Sequence, residues 1–217
     1  MKYHAAIFDL DGTLLDTLAD LADSMNHVLE WNGHEKHPLD AYKYFVGNGM
    51  EMLVRRAIPV ELCDENRVRK YLSAFKAEYA TRWDKETVPY HGIADMLDQL
   101  QDKCVRTAVL SNKAHDFTGL CVEKLLGDWS FDVVQGVSEA IPPKPDQKGV
   151  QSVIERLDVD PSRIIYLGDT STDMQTAKGS NLFAVGCSWG FRPRRELLDA
   201  GADVVIDHPS ELVKLID

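Results

Sequence analysis

Two carboxylates follow a short apolar run near the start of the chain. Residues 5–8 read AAIF, and Asp9 and Asp11 come directly after them, separated by Leu10. A continuous apolar run of this length predicts a buried strand. The strand would therefore end by placing two acidic side chains where the chain turns, which raises the question of what they bind there.

Three further apolar runs are also followed by polar side chains that suit a phosphate group or a metal ion. These are Ser111 and Asn112 after residues 105–110, Lys144 after residues 131–134 and a loop, and Asp169 and Asp173 after residues 163–167. In a parallel sheet the carboxyl ends of all strands share one edge. We therefore expect these groups to lie together with the first two acids, although they are far apart in sequence.

Several carboxylates at one edge would repel one another, and a hard cation is the simplest remedy. Oxygen ligands without histidine or cysteine favour Mg²⁺. Lys144 would add a second positive charge. Together these cations would form a local positive site that could attract a phosphorylated molecule to a protein whose net charge is −11.

Each motif taken alone also has a structural explanation. Residues 11–12, 111–112 and 168–173 could serve as turns or helix caps, and Lys144 could be a solvated loop lysine. The occurrence of all four motifs in this order, each after a predicted strand, favours the functional interpretation.

The elements that would position these residues are predicted by the alternation of apolar runs with amphipathic helical patterns. Residues 182–186 and 203–206 add two more apolar runs to those already described. Strands of continuous apolar character that alternate with helices predict an α/β fold, with a parallel sheet covered on both faces.

One long segment departs from this alternation. Residues 15–82 hold helical patterns and no convincing strand, with Gly33 as a helix stop and Pro38 as a restart. The segment is expected to form a helical insertion at 15–82 within a core made of residues 1–14 and 83–217.

Composition narrows the class of protein. The chain has 217 residues, of which 44% are hydrophobic and 27% charged, which is ordinary for a globular protein. The net charge argues against a nucleic-acid partner, which would require a basic surface. The apolar runs are shorter than the roughly 18 residues that a membrane span needs, and the four cysteines form no CxxC pair. We expect a cytoplasmic monomer or homodimer that acts on a small phosphorylated metabolite.

The four motifs resemble those of the haloacid dehalogenase-like hydrolases, in the same order. They are DLDGT (9–13), SN (111–112), KP (144–145) and GDTSTD (168–173). The resemblance implies a Rossmann-like parallel-sheet core, an α-helical cap inserted after the first motif, and a nucleophilic aspartate.

Within that family, residues 46–57, 88–93 and the C-terminal stretch are similar to phosphoglycolate phosphatases. The similarity implies a Mg²⁺-dependent phosphatase for small phosphate monoesters, with 2-phosphoglycolate as the leading substrate. Pyrophosphatases, sugar-phosphate phosphatases and a β-phosphoglucomutase-type isomerase share the four motifs and remain alternatives. A non-catalytic sensor of a phosphorylated metabolite is a further alternative, from a different functional class.

The resemblance also implies individual roles. Asp9 would attack phosphorus, Asp11 would act as general acid and base, and Lys144 would complete the catalytic group. The phosphate would be bound by Gly12, Thr13, Ser111, Asn112 and Lys144. The metal would be held by Asp9, the main-chain carbonyl of Asp11, and Asp169, with Asp173 holding a metal-bound water or Lys144. In the cap, substrate choice would depend on Asn48, Gly49 and Arg55.

Overall fold

A computed structural model describes residues 2–217, and the chain divides into two compact units. The first comprises the residues up to Leu15 together with Pro89–Asp217, and the second is Asp16–Val88. Two short strands, β2 (Leu15–Asp16) and β3 (Val88–Pro89), mark the two breaks and pair with each other. The second break lies beyond the expected boundary after residue 82.

The second unit is helical. Its α-helices are α1 (Leu18–Trp31), α2 (Leu39–Phe45), α3 (Met50–Ala57) and α4 (Glu65–Tyr79), with a 3-10 turn at Val60–Leu62. Gly33, with φ of +76°, follows the end of α1, and Pro38 directly precedes α2, as predicted. The residues buried between the helices include Met25, Tyr42 and Phe75.

A buried carboxylate explains why the second unit extends past residue 82. Asp20, in the first turn of α1, is 2% exposed. It accepts hydrogen bonds from the main-chain N–H groups of Glu86 and Thr87 and from the Thr87 hydroxyl, at 2.6–3.1 Å. These bonds bind the last residues of the segment to its first helix, because an unpaired buried carboxylate would be costly.

The first unit is built on a parallel sheet. Its strands are β1 (Ala5–Phe8), β4 (Arg106–Ala114), β5 (Val133–Val137), β6 (Ile164–Gly168), β7 (Phe183–Cys187) and β8 (Val204–Ile206). Their order across the sheet is β5-β4-β1-β6-β7-β8, and every neighbouring pair is parallel. The predicted α/β fold with a Rossmann-like parallel sheet is therefore confirmed.

Helices cover the sheet, as its apolar strands require. They are α5 (Ile93–Asp102), α6 (His115–Leu125), α7 (Gln147–Leu157), α8 (Ser171–Gly179), α9 (Arg194–Asp199) and α10 (Ser210–Ile216). In β1, Ala5 and Ile7 belong to one core cluster, whereas Ala6 and Phe8 point to the opposite face. All four are fully buried, so both faces of the central strand are covered. None of the helices within residues 2–217 has the length and apolar character needed to cross a bilayer.

Strand β4 is longer than its apolar pattern predicts. The predicted run ends at residue 110, but pairing with β5 continues to Ala114. The register shifts between Leu110 and Ala114, which is a bulge in β4. Bulges of this kind change the direction of side chains at a sheet edge, and this one contains Ser111 and Asn112.

Candidate active site

Asp9 lies directly after β1, at the centre of the carboxyl edge of the sheet. It is 6% exposed, and its main-chain N–H donates to the Leu167 carbonyl of β6 at 2.9 Å. The following turn depends on Gly12, whose φ is +88°. A Cβ atom at that position would lie 2.3 Å from a carboxylate oxygen of Asp169, so only glycine allows the turn to approach this acid.

Asp169 lies directly after β6, beside β1, and is fully buried. One carboxylate oxygen accepts the Phe191 main-chain N–H at 2.8 Å. The other accepts the Thr13 hydroxyl at 3.3 Å. The Thr13 hydroxyl, expected to bind phosphate, thus contacts the neighbouring acid in this structure.

Lys144 is the central cation of the site and is 5% exposed. Its Nζ lies 2.8 Å from a carboxylate oxygen of Asp9 and 2.7 Å from one of Asp173. It also donates to the Leu110 carbonyl at 3.0 Å and to the Tyr166 hydroxyl at 3.2 Å. The ammonium is therefore fixed between two acids that are distant from Lys144 in sequence, Asp9 by 135 positions and Asp173 by 29.

Asp173 both caps a helix and contacts the lysine of the site. One carboxylate oxygen accepts the main-chain N–H and the hydroxyl of Thr170, at 3.0 and 2.6 Å, which forms a capping box at the start of α8. The other oxygen accepts from Lys144 and from the Tyr166 hydroxyl. Because both oxygens are engaged, Asp173 is suited to orienting Lys144 rather than to binding a metal ion.

Buried carboxylates are concentrated at this site. Asp9, Asp169 and Asp173 are all buried, and each offers an oxygen within 4.8 Å of the others. Burial, followed by repulsion from Asp173, raises the pKa of Asp9 to about 7 against the attraction of Lys144. Burial, followed by repulsion from Asp173 and Asp9, also raises the pKa of Asp169 well above its usual range. A hard divalent cation bound by carboxylate oxygens of Asp9 and Asp169 would relieve this repulsion, and an oxygen-only donor set suits such a cation.

The pKa of Lys144 reports the same balance of charges. Burial alone would lower it, but the carboxylates of Asp173 and Asp9 outweigh that effect. They raise the Lys144 pKa well above its usual range, so the side chain is an ammonium at neutral pH.

The Asn112 side chain positions Lys144 by binding the main chain of that lysine. The Asn112 side-chain oxygen accepts the Lys144 N–H at 2.6 Å, and its amide nitrogen donates to the Lys144 carbonyl at 3.2 Å. Ser111, also in the β4 bulge, is 3% exposed. The structure therefore brings both predicted phosphate-binding residues to the same edge as Lys144, and shows a contact of Asn112 that sequence reasoning missed.

A second lysine of the site was also missed. Lys113 Nζ lies 3.0 and 3.2 Å from the two carboxylate oxygens of Asp11. The only sequence signal was its position next to Ser111-Asn112, because the ion pair joins residues that are 102 positions apart.

The residues expected to influence substrate choice lie in the helical unit. Arg55 forms ion pairs with Glu51 and Glu65, each at 2.8 Å. The Asn48 side chain accepts a hydrogen bond from Arg56 at 2.8 Å. Gly49 directly precedes α3 with φ of +85°. Their role in specificity remains a prediction.

Comparison with known proteins places this arrangement in a family. The family profile described as haloacid dehalogenase-like hydrolase matches residues 6–187. A phosphoglycolate phosphatase of Pseudomonas putida is 31% identical over 207 residues, which cover 93% of this chain and 75% of that protein. One from Nitrosospira multiformis is 31% identical over 218 residues, covering 98% of this chain and 95% of that protein.

A solved structure agrees with these relatives. A protein of Lactobacillus delbrueckii subsp. bulgaricus, provisionally named a phosphoglycolate phosphatase, superposes with a TM-score of 0.93 at 32% identity, over 100% of this chain and 99% of that one. The predicted enzyme class, a phosphoric monoester hydrolase, is confirmed by these matches. The chain belongs to the haloacid dehalogenase-like hydrolase family, in its phosphoglycolate phosphatase-like branch.

Proposed function

We propose that the protein is a Mg²⁺-dependent phosphatase that hydrolyses small phosphate monoesters through an aspartyl-phosphate, with 2-phosphoglycolate as its main substrate. The observation that carries this proposal is the buried Lys144 ammonium between Asp9 and Asp173. Carboxylate oxygens of Asp9 and Asp169 lie within 4.8 Å of each other beside it, close enough to bind one metal ion. The names of the relatives at about 31% identity support the choice of substrate.

Asp9, Asp169 and the main-chain carbonyl of Asp11 would hold the metal ion. The surplus of buried carboxylate charge supports this ligand set, and the two engaged oxygens of Asp173 leave that residue to hold Lys144. When bound, Mg²⁺ supplies charge neutralisation for the phosphate oxygens.

Asp9 is the nucleophile in the proposed reaction. Its carboxylate oxygen forms a bond to phosphorus while the ester bond breaks, and Asp11 donates a proton to the departing alcohol oxygen. Asp11, now a carboxylate, then accepts a proton from the water that attacks the aspartyl-phosphate. Inorganic phosphate leaves and the Asp9 carboxylate is restored.

The phosphate group would be bound by donors at the sheet edge where Asp9 lies. Lys144 lies within 2.8 Å of it, and Ser111 with the Asn112 N–H would complete the set. Donors fixed before the substrate binds need no reorganisation during the reaction, which is the main source of electrostatic catalysis. Gly12 leaves room for a phosphate to approach the main chain, and the helical unit 16–88 would act as the cap that selects the substrate.

The test is a phosphate-release assay on 2-phosphoglycolate, a hexose phosphate and pyrophosphate, each with Mg²⁺ and with a chelator. We expect Mg²⁺-dependent release, with the highest kcat/KM on 2-phosphoglycolate, and no turnover by Asp9→Asn. A tenfold preference for pyrophosphate or the hexose phosphate, about 1.4 kcal/mol, would assign another branch. A rearranged ester in place of free phosphate would identify an isomerase, and turnover by Asp9→Asn would exclude the covalent route.

A further inference from the structure

The Lys113–Asp11 pair is a partly buried contact that the mechanism above does not use. The Lys113 side chain is 1% exposed and that of Asp11 is 14% exposed. The ammonium contacts both carboxylate oxygens, at 3.0 and 3.2 Å. A carboxylate held at both oxygens cannot rotate freely about its last bond, so its orientation is determined by the lysine.

The main chain of Lys113 is itself anchored. Its N–H donates to the Ser111 hydroxyl at 3.2 Å, and its carbonyl accepts the Thr118 hydroxyl at 3.3 Å. A Cβ atom on Gly136 of β5 would lie 2.6 Å from the same carbonyl, so the neighbouring strand packs directly against it. The main chain from which the Lys113 side chain extends is therefore held in place in the β4 bulge.

Each lysine of the site contacts an acid of the first motif. Lys144 contacts Asp9 and Asp173, whereas Lys113 contacts Asp11. We propose that Lys113 is a positioning residue for the hydrolytic half of the reaction, an inference that rests on the proposed function. It holds the Asp11 carboxyl group in the orientation in which that group accepts a proton from the attacking water.

The step balances in atoms and charge. A bond forms between the water oxygen and phosphorus, and the bond between phosphorus and the Asp9 oxygen breaks. One water proton passes to the Asp11 carboxylate, and inorganic phosphate leaves. Correct placement of a general base contributes roughly 10²–10⁴-fold to the rate of such a step.

The experiment uses p-nitrophenyl phosphate, whose leaving group departs without protonation. For this substrate kcat/KM reports only the steps up to departure of nitrophenolate. The constant kcat also includes hydrolysis of the aspartyl-phosphate. We expect Lys113→Met to lower kcat about 10²-fold with much less change in kcat/KM. Rapid mixing should then show a burst of about one nitrophenolate per enzyme, and acid quenching should trap a phosphorylated protein.

Controls separate this role from a structural one. Lys148→Met, which removes an exposed lysine on α7, should leave both constants unchanged, and Asp11→Asn should show the same burst as Lys113→Met. If Lys113→Met does not fold, Lys113→Gln, which keeps N–H donors without the charge, carries the same comparison with a smaller loss. Equal losses in kcat and kcat/KM without a burst, or no loss, would overturn the inference. Failure of the wild-type protein to release phosphate, or turnover by Asp9→Asn, would instead refute the proposed function.

Discussion

Replacing Lys144 with methionine should destabilise the unit that contains the sheet. The substitution removes an ammonium that lies 2.8 Å from Asp9 and 2.7 Å from Asp173, and leaves both carboxylates buried without their counter-charge. It also removes the donors to the Leu110 carbonyl and the Tyr166 hydroxyl. Breaking a buried ion pair by removing one partner costs about 3–5 kcal/mol, so we expect a loss in that range at pH 8 in metal-free protein.

The loss should depend on pH in a defined direction. The folded-state pKa of Asp9 is about 7 even with Lys144 present, against 3.8 for the ordinary group, and removal of the cation raises it further. A carboxyl whose pKa is raised by folding favours the folded state only while it is protonated. Its contribution is present below about pH 4 and is lost as the pH rises through the folded pKa. The variant should therefore lose less stability at pH 5.5 than at pH 8.

Urea unfolding with a chelator, followed by circular dichroism at the two pH values, measures this difference. Lys148→Met is the matched control and should change the free energy of unfolding by less than about 0.5 kcal/mol. If the two units unfold separately, only the transition of the sheet-containing unit should shift. A loss below about 1 kcal/mol at pH 8, or the same loss at both pH values, would refute the electrostatic account of Lys144.

Two further predictions concern the turn and the metal. Gly12→Ala should destabilise the protein by more than Gly33→Ala. Both residues have positive φ, which costs a residue with a side chain about 1–2 kcal/mol. At Gly12 the new Cβ would also lie 2.3 Å from Asp169, whereas at Gly33 nothing lies within 4 Å of it. Equal melting temperatures of the two variants would contradict this prediction. Mg²⁺ should raise the melting temperature more at pH 8 than at pH 5.5, because the raised pKa of Asp9 means that protons compete with the metal below about pH 7. Asp169→Asn should remove that shift, and a shift independent of pH would contradict the assignment.

The sequence predicted the elements and the meeting point of the site, because both follow from local patterns. Continuous apolar runs identified the strands, and the common carboxyl edge of a parallel sheet implied that Asp9, Lys144 and Asp169 would meet. Their contacts in the structure agree with that expectation.

The missed features are contacts between distant residues. The Asn112 side chain binds the main chain of Lys144 across 32 positions, and Lys113 reaches Asp11 across 102. No local pattern records either contact. The extension of β4 was missed because its last residues are polar, and polar residues in a bulge do not resemble a buried strand.

The bonds that Asp20 accepts from residues 86 and 87 have a consequence for how this protein can change over time. They hold the first helix of the second unit against that unit's own last residues, so the two points where the segment leaves and rejoins the remaining chain are kept close by contacts inside the segment. The length and sequence between them can then vary while the distance to be bridged stays the same. This segment can therefore diverge between lineages while the strand that precedes Asp9 stays unchanged.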